Sequence, residues 1–69
     1  MVEVFETDVQ QAYQANIVLR ELRKYFPESK ISFDLDDCDK ILRVEGICVI
    51  ADQVSWLLNE KGFKCRPLE

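Results

Sequence analysis

The segment from Lys30 to Glu45, KISFDLDDCDKILRVE, limits the possible folds more than any other stretch of the chain. Ile31, Phe33 and Leu35 alternate with Ser32 and Asp34, and Leu42 and Val44 alternate with Ile41, Arg43 and Glu45. Successive side chains of a strand point to opposite faces, so each run presents one mainly apolar and one mainly polar face. Asp36, Asp37, Cys38 and Asp39 lie between the runs as an acidic turn. The reading is a β-hairpin in a sheet covered on one side only. An isolated hairpin is marginal in water, so the flanking chain must supply the cover.

That cover is legible on both sides. Val2 to Glu6 (VEVFE) reads as a first strand with Val2 and Val4 toward the core. Phe5 is then expected on the opposite, open face of the sheet, beside Ile41. Thr7 and Asp8 offer N-cap oxygens, and Asp8 with Gln11 has capping-box spacing. The helix that follows runs to about Tyr25, with Ala12, Ala15, Leu19, Leu22 and Phe26 as its apolar stripe and Val18 and Tyr25 flanking it. Tyr13 and Ile17 fall on another side of that helix, and Pro27 ends it.

Beyond the hairpin, Gly46 closes the second strand, and Ile47, Ile50, Val54, Leu57 and Leu58 mark a second amphipathic helix. Lys61 and Gly62 close that helix, while Val49 and Trp56 lie outside its stripe. Phe63 to Arg66 read as a short last strand with Phe63 and Cys65 inward, ended by Pro67. The order β-α-β-β-α-β defines an α+β class: a ferredoxin-like sandwich, a four-stranded antiparallel sheet with both helices on one face. Residues 1–69 form one domain, with Leu68 and Glu69 read as the kind of pair a cloning site leaves behind.

Composition narrows the function classes. A chain that is 48% apolar and 32% charged, with only two glycines and two prolines, is not that of a disordered segment. Its longest uncharged stretch, Gly46 to Ala51, is far short of the ~20 residues that span a bilayer, and the N-terminus lacks a signal-peptide pattern. A cytoplasmic protein is expected. A net charge of −4 disfavours phosphate backbones and anionic membranes, so neither nucleic acid nor membrane is an expected partner. Cys38, Cys48 and Cys65 are an odd number without close spacing, which reads as reduced thiols.

The element order, the phrase KISFDLDDCDKILRV and the ending NEKGFKCR resemble the heavy-metal-associated domain, the fold of small copper chaperones and transporter tails. The resemblance covers roughly Val2 to Arg66, with Phe26-Pro27 at the helix exit and Lys61-Gly62-Phe63 at the approach to the last strand. It implies the same fold. The family binds soft metal ions through Met-x-Cys-x-x-Cys, two thiolates near a helix N-terminus. Counted back from Phe26-Pro27 those cysteines correspond to Ala12 and Ala15, and counted forward from the strand to about Val9 and Ala12. Neither register supplies a sulfur, so the metal-carrying role does not transfer residue by residue.

Other chemistry has little to draw on. Threading places Cys38 at the end of the sheet where the first strand exits, Cys48 at the opposite end and Cys65 inside, so the three thiols are not expected to converge. Cys38 with Asp36, Asp37 and Asp39 is a weak metal candidate, since the turn lacks the glycine and ligand spacing of a calcium loop. The alternative is a solvated turn that discourages edge pairing. With no histidine, no glycine-rich phosphate loop and no nucleophile beside a base, an enzyme is not expected, nor is a cofactor. Phe5 with Ile41, Tyr13 with Ile17, and Val49 with Trp56 remain as apolar pairs that the core does not require.

These point to a small non-catalytic binding module that meets a protein partner or a second copy of itself. One alternative is a copper or zinc chaperone or sensor using Cys38 and the acidic turn. Another is a regulatory module for a small ligand.

Overall fold

The computed structural model describes residues 1–47 and 49–68. Cys48 and Glu69 lie outside the described residues, and with them the expectation for Cys48. Six elements follow one another: β1 (Val2–Thr7), α1 (Ala12–Tyr25), β2 (Lys30–Asp34), β3 (Ile41–Glu45), α2 (Ala51–Glu60) and β4 (Cys65–Pro67). The strands form one antiparallel sheet in the order β2-β3-β1-β4, and both helices cover the same face. This is the ferredoxin-like α+β arrangement that the alternating runs predict.

The hairpin pairs Lys30 with Glu45, Ser32 with Arg43 and Asp34 with Ile41. Ile31, Leu42 and Val44 are buried beneath the helices, with Phe33 partly so. The first strand inverts the expected phase. Phe5 is 0% exposed and lies opposite Leu42, whereas Val2 is 46% exposed. Because β1 extends to Thr7, its core-facing set is Phe5 and Thr7, and a one-residue change of phase moves every side chain to the other face. Burying the phenyl ring removes more apolar surface from water than burying the valine at the start of the strand, which favours this phase.

Gln11, not Asp8, sits at the N-cap of α1, and the Gln14 side chain accepts the Gln11 and Gln10 amides at 3.0 and 3.1 Å. The N-cap amide and the amide just before it are thereby satisfied. Asp8 instead accepts the Lys64 amide at 2.7 Å, tying the exit of β1 to the approach to β4. Ala15, Val18 and Leu22 are the buried face of α1, followed by Phe26, while Ala12 and Tyr25 are exposed.

The second helix begins at Ala51, so Ile47 and Ile50 precede its first turn and are exposed, and Val49 is buried. Its end is a Schellman cap: the Phe63 amide donates to the Leu58 carbonyl at 2.9 Å and the Gly62 amide to Asn59 at 3.0 Å. Gly62 takes φ +89° there, a conformation that L side chains rarely adopt. Pro67 is part of β4 rather than its terminator, which an edge strand tolerates because one side of its backbone needs no ladder partner.

Candidate functional site

Three regions hold the residues singled out from the sequence. The first is the end of the sheet where β1 exits. Lys40 has φ +50°, and this left-handed residue aims its carbonyl at Thr7. The Thr7 hydroxyl donates to that carbonyl at 2.6 Å, the Thr7 amide donates to Asp39 O at 3.1 Å, and the Val9 amide donates to Thr7 Oγ1 at 3.3 Å. Within the turn, Asp37 Oδ1 accepts the Asp39 amide at 2.8 Å, and Lys40 Nζ donates to Leu35 O at 2.9 Å. The acidic turn is thus pinned to β1 through Thr7, a buried polar side chain that the sequence pattern does not distinguish from a capping residue.

Pinning the turn brings Cys38 and Cys65 onto the walls of one open cleft of about 380 Å³, with Asp8 and Asp39 beside them. The two residues line one cleft, but their sulfurs do not form a common ligand group. Cys65 is paired across the sheet with Thr7, and the Ser55 hydroxyl donates to its sulfur at 3.8 Å. Burial pushes the Cys65 thiol up, and the Ser55 hydrogen bond opposes that in part. Asp37, Cys38 and Asp39 can place one ligand atom each within 4.8 Å of one another, all three exposed. Asp36 and Cys65 are not in that group. Arg66 lines the same cleft and pairs with Glu6 at 2.7 Å.

The position where the resembling family holds metal is different. Ala12 is exposed at the start of α1 and Ala15 is buried in the core, and neither carries a donor atom. The residues there do not fit a soft metal ion, which needs thiolate or thioether ligands.

The second region is the open face of the sheet. Register and alternation place Val2, Val4, Ile41, Arg43, Glu45 and Arg66 on it. Ile41 is half-buried between the neighbouring strands, and Phe5 is absent because it belongs to the core. No aromatic side chain lies on this face among the described residues, so it offers no platform for stacked bases.

The third region is on the helical side. Trp56 is 55% exposed, and Tyr13 and Ile17 are exposed on α1, whereas Val49 faces inward and is withdrawn as a surface residue. Trp56 and Tyr25 share a concavity of about 150 Å³ with Gln53 and Leu57. Tyr25 also borders a second one, of about 330 Å³, with Phe26, Pro27 and Ile47. Tyr25 is 58% exposed and Ile47 is 89% exposed, so Ile47, Tyr25 and Trp56 form a strip along two concavities that share Tyr25, the larger of them lined by Glu28 and Ser29 as well. The sequence pattern places Tyr25 on the flank of the α1 stripe and Ile47 within the α2 stripe.

Near this strip Glu21 pairs with Lys24 at 3.4 Å and with Lys61 of the other helix at 3.6 Å. Desolvation raises the Glu21 carboxyl, but the two ammonium groups outweigh it and hold the carboxyl below its usual range.

Comparisons with family models, with curated proteins and with solved structures each return no match to this chain.

Proposed function

We propose that this chain is a small non-catalytic docking module that binds a protein partner through the strip formed by Ile47, Tyr25 and Trp56. The observation that carries the reading is the continuity of that strip across two concavities sharing Tyr25. Tyrosine and tryptophan supply large, stiff contact area and are the residue types most often found as binding anchors. Two aromatic rings more than half exposed and an almost fully exposed isoleucine are the kind of apolar surface that marks an interaction site when it is contiguous.

Catalysis has no support in the arrangement. The carboxylates nearest the Cys38 thiol, Asp37 and Asp39, stand with it in an exposed turn, a wet setting that gives an acid or base little activation. The resemblance to the heavy-metal-associated domain fits this reading as a scaffold used without its metal motif. A non-catalytic cytoplasmic role without nucleic acid or membrane agrees with the acidic charge and the polar open face.

The test is capture of partners on the immobilised protein compared with a Tyr25→Ala/Trp56→Ala variant. A partner retained by the wild type and lost by the variant supports docking, and equal capture by both contradicts it.

A second reading, a metal-ion chaperone or sensor, draws support from the Asp37, Cys38 and Asp39 group. Titration of the reduced protein with Cu(I) and Zn²⁺ decides it. Stoichiometric binding weakened by Cys38→Ser supports metal handling, and unchanged spectra dispose of it.

A further inference from the structure

The sheet order leaves β2 as an edge, with one side of its backbone unpaired. Edge strands attract other strands, and proteins that remain apart blunt them with short length, inward charges or proline. β4, the other edge, is three residues long and contains Pro67, so it is blunted. β2 is five residues long, Lys30-Ile31-Ser32-Phe33-Asp34, and has neither proline nor an inward charge. Its ends carry opposite charges.

That sequence is complementary to itself when reversed. In an antiparallel pair of two β2 strands centred on Ser32, Lys30 of each copy lies opposite Asp34 of the other, and Ile31 lies opposite Phe33. Lys30, Ser32 and Asp34 share the open face, while Ile31 and Phe33 share the face beneath the helices. The same register therefore aligns both charge pairs on one face and both apolar pairs on the other, as cross-strand pairing requires. The flank of Phe33 is also unfinished. It is only partly buried and lines an open groove of about 310 Å³ between α1 and the β2 edge with Ala15, Leu19 and Leu35, a groove that Asn16, Asp34 and Asp36 also line.

We propose that two copies of this chain associate through their β2 edges, antiparallel about Ser32, joining two sheets into one continuous sheet of eight strands. The interface shares no residue with the Ile47-Tyr25-Trp56 strip, so it stands or falls apart from the docking function. A five-residue ladder is a small contact of the weak, transient class, and association is expected in the micromolar to millimolar range.

The charge pattern gives a test that few other interfaces could imitate. In Lys30→Asp, acids face acids across the symmetric pair. In Asp34→Lys, amines face amines. Mixed together, the two variants restore both opposite-charge contacts. Sedimentation of the full chain is expected to show wild-type dimers, each variant alone weakened by about tenfold or more, and the equimolar mixture recovering as a heterodimer. Circular dichroism checks that each variant folds, and Tyr25→Ala/Trp56→Ala is expected to dimerise as the wild type does. A second measurement uses the wild type alone: with rising concentration, amides of residues 30–34 should gain protection from hydrogen exchange while those of β4 do not. A wild-type chain that stays monomeric at millimolar concentration overturns the proposal. So does folded variants' failure to recover on mixing, loss of the dimer in Tyr25→Ala/Trp56→Ala, or protection that rises at β4 instead.

Discussion

Phe5 and Thr7 decide how the acidic turn and the first strand fit together. Replacing Phe5 by Ala removes a ring from the interior and is expected to cost about 3–5 kcal/mol. Val4→Ala, on the open face, should cost less than about 1 kcal/mol. Urea denaturation of the two variants checks the phase of β1, and the reverse ranking would contradict it. Thr7→Val keeps the shape but leaves the Lys40 carbonyl without its hydroxyl donor, with an expected loss of about 1–3 kcal/mol. Thr7→Ser should recover much of it, which distinguishes the hydrogen bond from packing. At Cys65 the folded state raises the thiol pKa, so its preference for the neutral form is fully present below the unfolded thiol value, about 8.5. That contribution is lost as pH rises through the folded value. Thermal midpoints should therefore fall more steeply above about pH 8.5 in the wild type than in Cys65→Ser.

At the scale of elements, the sequence signals differ in what they can resolve. The β2-β3 hairpin is legible because alternation over two runs and an acidic turn all agree, and the Gly62 cap because glycine at that place has one main use. Gly62→Ala keeps open space around the new methyl group but forces it to φ +89°, with an expected loss of about 1 kcal/mol measured by thermal unfolding. A loss near zero would mean that the cap relaxes. The phase of β1 is less legible because VEVFE contains two valines on one face and a phenylalanine on the other, and only tertiary packing chooses between them. The start of α2 is equally undetermined by pattern. Ile47 and Ile50 have helical spacing with Val54, yet the chain between β3 and α2 must first cross from the sheet to the helical layer, and they are left outside.

For the whole molecule, the consequence of these shifts is a rearranged surface. Phe5 and Val49 enter the core, Ile47 and Ile50 leave it, and Tyr25 on the stripe's flank is exposed. Of the three apolar pairs expected at the surface, only Tyr13 with Ile17 remains intact, Trp56 acquires Tyr25 as its neighbour, and Ile41 stays among charged residues on the open face. A stripe drawn on a helical wheel says which side of a helix is apolar, but not where a neighbouring helix ends. The Ile47-Tyr25-Trp56 strip includes Ile47 because α2 begins only at Ala51. The acidic turn, by contrast, is legible as a turn and not as a partner of Thr7, because a contact between residues 33 apart has no local signature.

The claim that this strip is the docking surface is tested most directly by quantitative capture with matched proteins. Wild type and the Tyr25→Ala/Trp56→Ala variant are immobilised at equal density after their unfolding midpoints are shown to agree, as expected for exposed side chains within about 0.5 kcal/mol. At least one partner is expected to bind the wild type and to be reduced about tenfold or more by the double substitution. Identical capture by both proteins, or no partner that distinguishes them, would contradict it.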